Sequence, residues 1–205
     1  MARRDPAATR EALLNAAEPL VFTRGFAGAG VEAIIAGTGL TRGAFFHHFP
    51  TKHALADALV ERWASADARQ MEEKLARSER LTSDPVQQLV VFVGLFAEEA
   101  EQLEAPEPGC LFGAFCYQEG LVEEATWERI TNAMLMWRDR LRTKLKAACE
   151  RRSPAAPVDL DSLADMITVV FEGAFIMSRA TGEAAVLGAQ LRHLQTYLAL
   201  LFETD

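Results

Sequence analysis

Apolar residues recur three and four positions apart along nearly the whole chain, and alternation of β-branched residues is almost absent. That period places one stripe of each segment against a core and predicts an all-α fold of about nine helices. Asp5 can cap a first helix with Pro6 at its first position. Leu13, Leu14, Ala17, Leu20 and Val21 form its stripe and Gly25 closes it. Pro19 lies inside this helix, where it removes a donor and crowds the carbonyl of Asn15, so a kink is expected there. Two short helices follow, Val31 to Thr38 and Thr41 to His48, separated by Gly39 and Leu40.

A long helix begins near Thr51 or Lys52, carries Leu55, Leu59, Trp63, Met71 and Leu75, and stops before Leu81. Asp84 and Pro85 repeat the cap-plus-proline start, and the helix behind them ends in the acidic stretch from Glu98 to Glu104. Pro106, Pro108 and Gly109 mark a loop. Beyond it lie Cys110 to Glu119, a long helix from Glu123 to Cys149, a polar linker from Arg151 to Pro157, and two apolar-rich helices, Asp159 to Ala180 and Glu183 to Phe202.

A chain of 205 residues can bury a core without covalent staples. The three cysteines, Cys110, Cys116 and Cys149, are odd in number and contain no C-x-x-C pair, which fits a reducing, cytoplasmic setting. No apolar run has the length of a membrane span, and no membrane partner is expected. The net charge of −8 is unevenly spread. Residues 1–55 hold six Lys and Arg against four acids, a charge of +2, and the remaining 150 residues carry −10. Three of the four histidines, His47, His48 and His53, also lie in the basic segment, so one end of the chain can approach a polyanion although the whole is acidic.

The helical pair between Val31 and Phe49 carries the strongest signal. Ile34 and Ile35 can pack the first helix, Gly39 supplies a left-handed turn, Leu40 plugs the angle and Thr41 caps the second helix. Only Phe45 and Phe49, four apart, must face inward. Arg42, Phe46, His47 and His48 are then left outside on a helix that fits a major groove. Taken generically, the same pattern also describes a plain helical hairpin.

The particular residues add to this. Arg24-Gly25-Phe26, Val31, Ile34-Ile35, the run from Gly39 to Lys52, and Ala54-Leu55 strongly resemble the TetR family of regulators over residues 9–60. The resemblance implies a helix-turn-helix DNA-binding domain in residues 1–50 and an effector-binding, dimerising domain in residues 51–205. It further implies that Thr41, Arg42, Gly43, Phe46, His47 and His48 contact DNA and that Lys52 binds a phosphate. Gly30 stands where the family has Ser or Thr, so that side-chain phosphate contact is missing. The implied partners are double-stranded operator DNA, a second copy of the chain as homodimer, and a small-molecule effector that lowers operator affinity. A regulator that has lost its effector, and an all-α enzyme or ligand-binding protein with an idle hairpin, are the competing readings.

In the body, Phe96, Phe115, Trp127, Met134, Trp137, Phe171 and Phe175 are candidate effector-pocket residues, although aromatics at helical spacing also make ordinary core. The last two helices present wide stripes, and Phe171, Phe175, Leu187, Leu191, Leu194 and Leu198 are the expected dimer contacts. No cofactor, metal or catalytic residue is expected. Gly28-Ala29-Gly30-Val31-Glu32-Ala33 matches a dinucleotide fingerprint, but a helix precedes it and His53 occupies the position of the required acid. Adjacent His47 and His48 diverge on a helix and His53 lies beyond the Pro50 break, so a metal shared by the three is not expected. His193 has no acid or nucleophile near it in sequence and reads as a solvated or interface residue.

Overall fold

The computed structural model describes residues 5–118, 120 and 122–202. Within them the chain forms α1 (Pro6–Gly28), α2 (Val31–Ala36), α3 (Arg42–His48), α4 (Lys52–Leu81), α5 (Pro85–Ala100), α6 (Leu111–Cys116), α7 (Glu124–Arg151), α8 (Leu160–Thr181) and α9 (Ala185–Phe202). These nine helices, with no strand among the described residues, agree with the all-α pattern. Arg3, Arg4 and Glu119, which entered the sequence reading, lie outside the described residues.

Capping places the starts where the sequence puts them. Asp5 accepts from the amide of Ala7 at 3.0 Å, Asp84 from Val86 at 3.0 Å and Asp159 from Ser162 at 2.8 Å, each satisfying an orphan donor of a first turn. The expected kink at Pro19 is not where α1 breaks. The backbone stays helical through Pro19, and the break falls at Gly25, with φ 69° and ψ 165°. The dihedrals there are accessible essentially to glycine alone, and an added Cβ would stand 2.7 Å from the Gln118 side-chain amide, which would have to move. No helix among the described residues is long and apolar enough to cross a membrane.

Packing divides the chain into two units. The first takes Met1–Ser65 with Pro108–Thr131 and is centred on buried Leu13, Leu14, Ile34, Phe45, Leu55 and Leu59. α6 and the opening of α7 therefore share a core with α1, α2 and α3. Within this unit Arg62 reaches Glu11 at 3.3 Å, Asn15 at 2.7 Å and Glu18, tying α4 along α1. Arg129 and Thr126 of α7 bond Asp57 of α4 at 2.8 and 3.4 Å.

The second unit takes Ala66–Glu107 with Asn132–Asp205. α5 is its axis: Leu89, Phe92, Val93, Leu95, Phe96 and Ala97 are all buried, so the helix is covered on nearly every side. α9 lies along it, presenting Leu187, Leu191, Leu194, Leu198 and Leu201.

Substituting Gly25 by Ala is expected to cost about 1–3 kcal/mol, because alanine must adopt a backbone region reserved for glycine. Equilibrium denaturation checks this, and an unchanged midpoint would show that the turn relaxes freely.

Candidate nucleic-acid interface

α2 and α3 are six and seven residues long, too short to persist on their own hydrogen bonds, so their placement depends on anchors. Ile34 and Phe45 are fully buried and Phe49 nearly so, with the two phenylalanine rings 5.9 Å apart. Arg10 of α1 stands over the Phe49 ring at 5.4 Å. The turn between the helices is closed by Thr38, whose hydroxyl donates to the Ile35 carbonyl at 2.9 Å and accepts from the Leu40 amide at 3.2 Å. Gly39 follows with φ 65°. Thr41 then caps α3, its Oγ1 accepting from the Ala44 amide at 3.2 Å.

With Phe45 and Phe49 inward, the remaining face of α3 is open. Thr41, Arg42, Gly43, Phe46 and His47 are exposed and His48 is half-buried. Phe46 rests edge-on against Phe45 at 5.2 Å, and the His47 and His48 rings meet edge-on at the same separation. Arg42 is not free: its Nη1 donates to Glu32 Oε1 of α2 at 2.9 Å, and its guanidinium lies 5.5 Å from the Phe46 ring centre. The α2 cap, Gly30, makes no side-chain bond.

Lys52 holds a place the sequence reading did not foresee. Its Nζ donates to the carbonyl of Phe26 and, at 3.1 Å, to that of Ala27, and it lies 4.5 Å from the centre of the Phe26 ring. The attraction is to the negative end of α1 and the face of the ring, and the partial burial it brings lowers the lysine's pKa. Two of the three ammonium protons are engaged inside the protein. The same turn is held from the other side by Gln118, whose Oε1 accepts from the Ala27 amide at 3.1 Å while its Nε2 donates to Ala114 at 2.9 Å. Phe115 of α6 packs on Phe26 at 5.4 Å.

Gln118 and Glu32 were missed by sequence reasoning. Each meets its partner across a fold-back, 91 positions away for Gln118 and ten for Glu32, and neither separation is a helical repeat. His53 has its Nδ1 buried without a partner and its ring 6.2 Å from Phe26. No group of three metal-binding side chains occurs among the described residues.

The expected effector residues do not line one described cavity. Phe115 and Trp127 belong to the first unit, Trp127 with 37% of its surface exposed. Phe96, Trp137 and Phe171 pack on one another in the second unit, with Phe92 completing the cluster, at ring separations of 5.0–6.3 Å. Phe175 is half-buried against the same core and Met134 is half-buried on α7. Two ionisable groups border this cluster. Asp67 accepts from the Trp137 indole at 2.6 Å, and the nearly buried Lys74 lies 4.6 Å from the Phe96 ring centre while paired with Glu99. A cleft of about 280 Å³ in this unit lies elsewhere, between the Glu72–Arg140 and Glu79–Lys144 pairs.

Of the expected dimer contacts, Leu187, Leu191, Leu194 and Leu198 are turned inward, because α5 claims that stripe of α9 for the chain's own core. Phe171 and Phe175 are half-buried beside it. The large apolar side chains left exposed on these helices are Val169, Ile176 and Met177 of α8 and Tyr197 and Leu200 of α9. His193 is exposed on the same helix as the last two.

Comparison with known proteins gives two family matches. The model described as bacterial regulatory proteins, tetR family, matches residues 13–59, and that described as tetracyclin repressor-like, C-terminal domain, matches residues 85–194. The chain is similar to the transcriptional regulator AcuR of Cereibacter sphaeroides, 22% identical over 85% of this chain and 78% of that protein. It is 35% identical to the HTH-type transcriptional repressor NemR of Escherichia coli, over 35% of this chain and 36% of NemR. Among solved structures, a TetR transcriptional regulator from Chloroflexus aurantiacus is similar at 28% identity and a TM-score of 0.76, covering 96% of this chain and 97% of that one.

Burial raises the Asp67 carboxyl above its ordinary pKa of 3.8, a shift only partly offset by the indole bond. The folded state therefore holds this proton more tightly than the unfolded chain does. The stability it lends is full below the ordinary value and is lost as pH rises through the raised one. Asp67→Asn keeps an acceptor for Trp137 and removes the titration. Its melting temperature is expected to match the wild type in acid and exceed it at pH 7–8, and a variant less stable at both pH values would contradict the assignment.

Proposed function

The chain belongs to the TetR family of transcriptional regulators, and from that membership we propose that it represses transcription from a palindromic operator until a small molecule binds its second unit. It is a DNA-binding transcriptional regulator, of a family whose members are not enzymes and in which release by ligand is typical. Family repressors bind operator DNA and act as dimers. The observation that carries the reading is the division of α3: Phe45 and Phe49 are locked in the core, and Thr41, Arg42, Gly43, Phe46 and His47 are exposed on one outer face, inside the segment matched by the family model.

In this reading residues 1–50 supply the DNA contacts, with Thr41, Arg42, Gly43, Phe46, His47 and His48 in the major groove. Residues 51–205 bind the effector and dimerise, and the protein works in the cytoplasm. Gly43 suits a close approach, since nothing but the Thr41 hydroxyl lies within 4 Å of where a Cβ would be. The third proton of the Lys52 ammonium remains for a phosphate.

A two-turn reader meets few base pairs, so affinity depends on pairing two readers about 34–36 Å apart on successive grooves. The α8 and α9 residues that remain exposed, Val169, Ile176, Met177, Tyr197 and Leu200, suit the symmetric interface, in place of the inward leucines. The effector acts by favouring a different spacing of the two readers, and its binding and operator binding weaken each other equally. The cluster of Phe96, Trp137 and Phe171, bordered by Asp67 and Lys74, is where its aromatic and polar contacts are sought.

Two measurements test this. Lys52→Ala is expected to lower the melting temperature, since two carbonyls lose their donor. It should also flatten the dependence of log affinity on log salt by about 0.9 for every DNA sequence alike. Unchanged salt dependence removes Lys52 from the interface. The paired change Ile176→Glu and Leu200→Glu is expected to give monomers in sedimentation at micromolar concentration and to abolish operator binding while α1 to α3 stay folded. A dimer that survives both charges places the interface elsewhere.

A further inference from the structure

Between Val31 and His48 the chain has two formally charged side chains, Glu32 and Arg42, and they are bonded to each other. A helix-turn-helix facing a polyanion thus has no net formal charge of its own. The contact also has a definite form. One N–H of Arg42 Nη1 goes to Glu32 Oε1 at 2.9 Å. The guanidinium is seated against Phe46, which in turn rests on Phe45, and Phe45 is fully buried. Glu32 lies in the first turn of α2, where a helix favours a carboxylate. Arg42 is therefore braced from α2 by a carboxylate and from its own helix by a ring that the core holds.

We propose that Glu32 is a specificity-determining positioning residue, which makes Arg42 a reader of a guanine base rather than a phosphate clamp. This rests on α3 being the DNA-reading helix. A carboxylate beside a guanidinium cancels its long-range pull on the phosphate backbone and itself repels phosphate. It leaves the short-range, directional hydrogen bonds intact. Of the five guanidinium N–H groups, one is used by Glu32, and the Nε and Nη2 protons still form a two-pronged donor edge. The major-groove edge of guanine offers two acceptors, O6 and N7, at a matching spacing and without net charge. A braced arginine meets that edge without first ordering its long side chain, whereas an unbraced one is drawn to the nearest phosphate. Gly30, which starts α2, likewise has no side chain with which to hold a phosphate, and this points the same way, to a reader whose discrimination outweighs its general affinity for DNA.

The test uses the full-length chain and its Arg42→Ala and Glu32→Gln variants, each carried through selection from random duplex DNA and then salt titration on the selected and on random duplexes. Glu32 is exposed and glutamine keeps its shape, so folding is expected to be unchanged, with thermal unfolding as the control. Wild type is expected to enrich guanine at one position of each half-site. Arg42→Ala should lose that preference by about tenfold or more at that position alone. Glu32→Gln should reduce it by a factor of about three to ten, bind random duplex more tightly, and steepen the salt slope on random duplex by about 0.9, the mark of one new phosphate contact. If Glu32→Gln matches the wild type in both selected sequence and slope, the proposal is overturned. So it is if Arg42→Ala weakens all sequences equally, which would make Arg42 a phosphate ligand. A wild-type chain that enriches no sequence overturns the DNA-reading assignment itself, and this inference with it.

Discussion

Helices of six and seven residues do not survive in water on propensity, because the cost of nucleating each is never recovered over so few hydrogen bonds. Everything the reader presents outward therefore depends on burying Phe45, Phe49 and Ile34 in the core of the first unit. That burial also sets the register of α3: with two aromatic rings four positions apart facing inward, Arg42, Gly43 and Phe46 have no direction left but out. The turn at Gly25 to Ala27 closes the arrangement. Its carbonyls are held by Lys52 and one of its amides by Gln118, so three separate stretches of chain meet at the entrance to the reader.

Electrostatics in this protein work mostly by pairing. Two of the four acids in the run from Glu98 to Glu104 are paired, Glu99 with Lys74 and Glu101 through a two-pronged contact from Arg192 at 2.7 and 2.8 Å. Arg138 of α7 makes a two-pronged contact with Asp165 of α8, and Arg142 pairs through its Nε with Asp161 at 2.8 Å. Exposed pairs of this kind contribute little stability individually, but they fix which faces of neighbouring helices meet. The pair formed by Glu32 and Arg42 differs in consequence because of where it stands. In the proposed reading this surface approaches phosphates, and there neutralising an arginine changes what that arginine can select.

The second unit combines two features that usually conflict, a close-packed aromatic cluster and charged groups at its border. Phe92, Phe96, Trp137 and Phe171 fill their own space, Asp67 is held by the Trp137 indole, and Lys74 by the Phe96 ring and Glu99. Keeping Asp67 desolvated makes its charged form costly and raises its pKa.

Helix starts, the family and the exposed face of α3 were legible in the sequence because each rests on local rules. Aspartate and proline mark a first turn, glycine a left-handed stop, and a repeat of three and four a buried stripe, whatever lies on the other side. Periodicity fixes the angle of a stripe but not its partner. The leucines of α9 could equally have met a second copy of the chain, and only the tertiary structure, in which α5 is apolar on nearly every side and takes them, shows that they fill the chain's own core. Lys52 at a helix start carries no sign in the sequence of the two carbonyls and the ring that the end of α1 brings beside it. Glu32 and Gln118 carry no local signal at all, since their roles arise from partners that share no helical spacing with them. What the chain's local chemistry could determine was therefore where each element begins, ends and turns its apolar side. Which apolar sides and which charges meet was decided only by folding, because that depends on distances between residues that the order of the sequence does not contain.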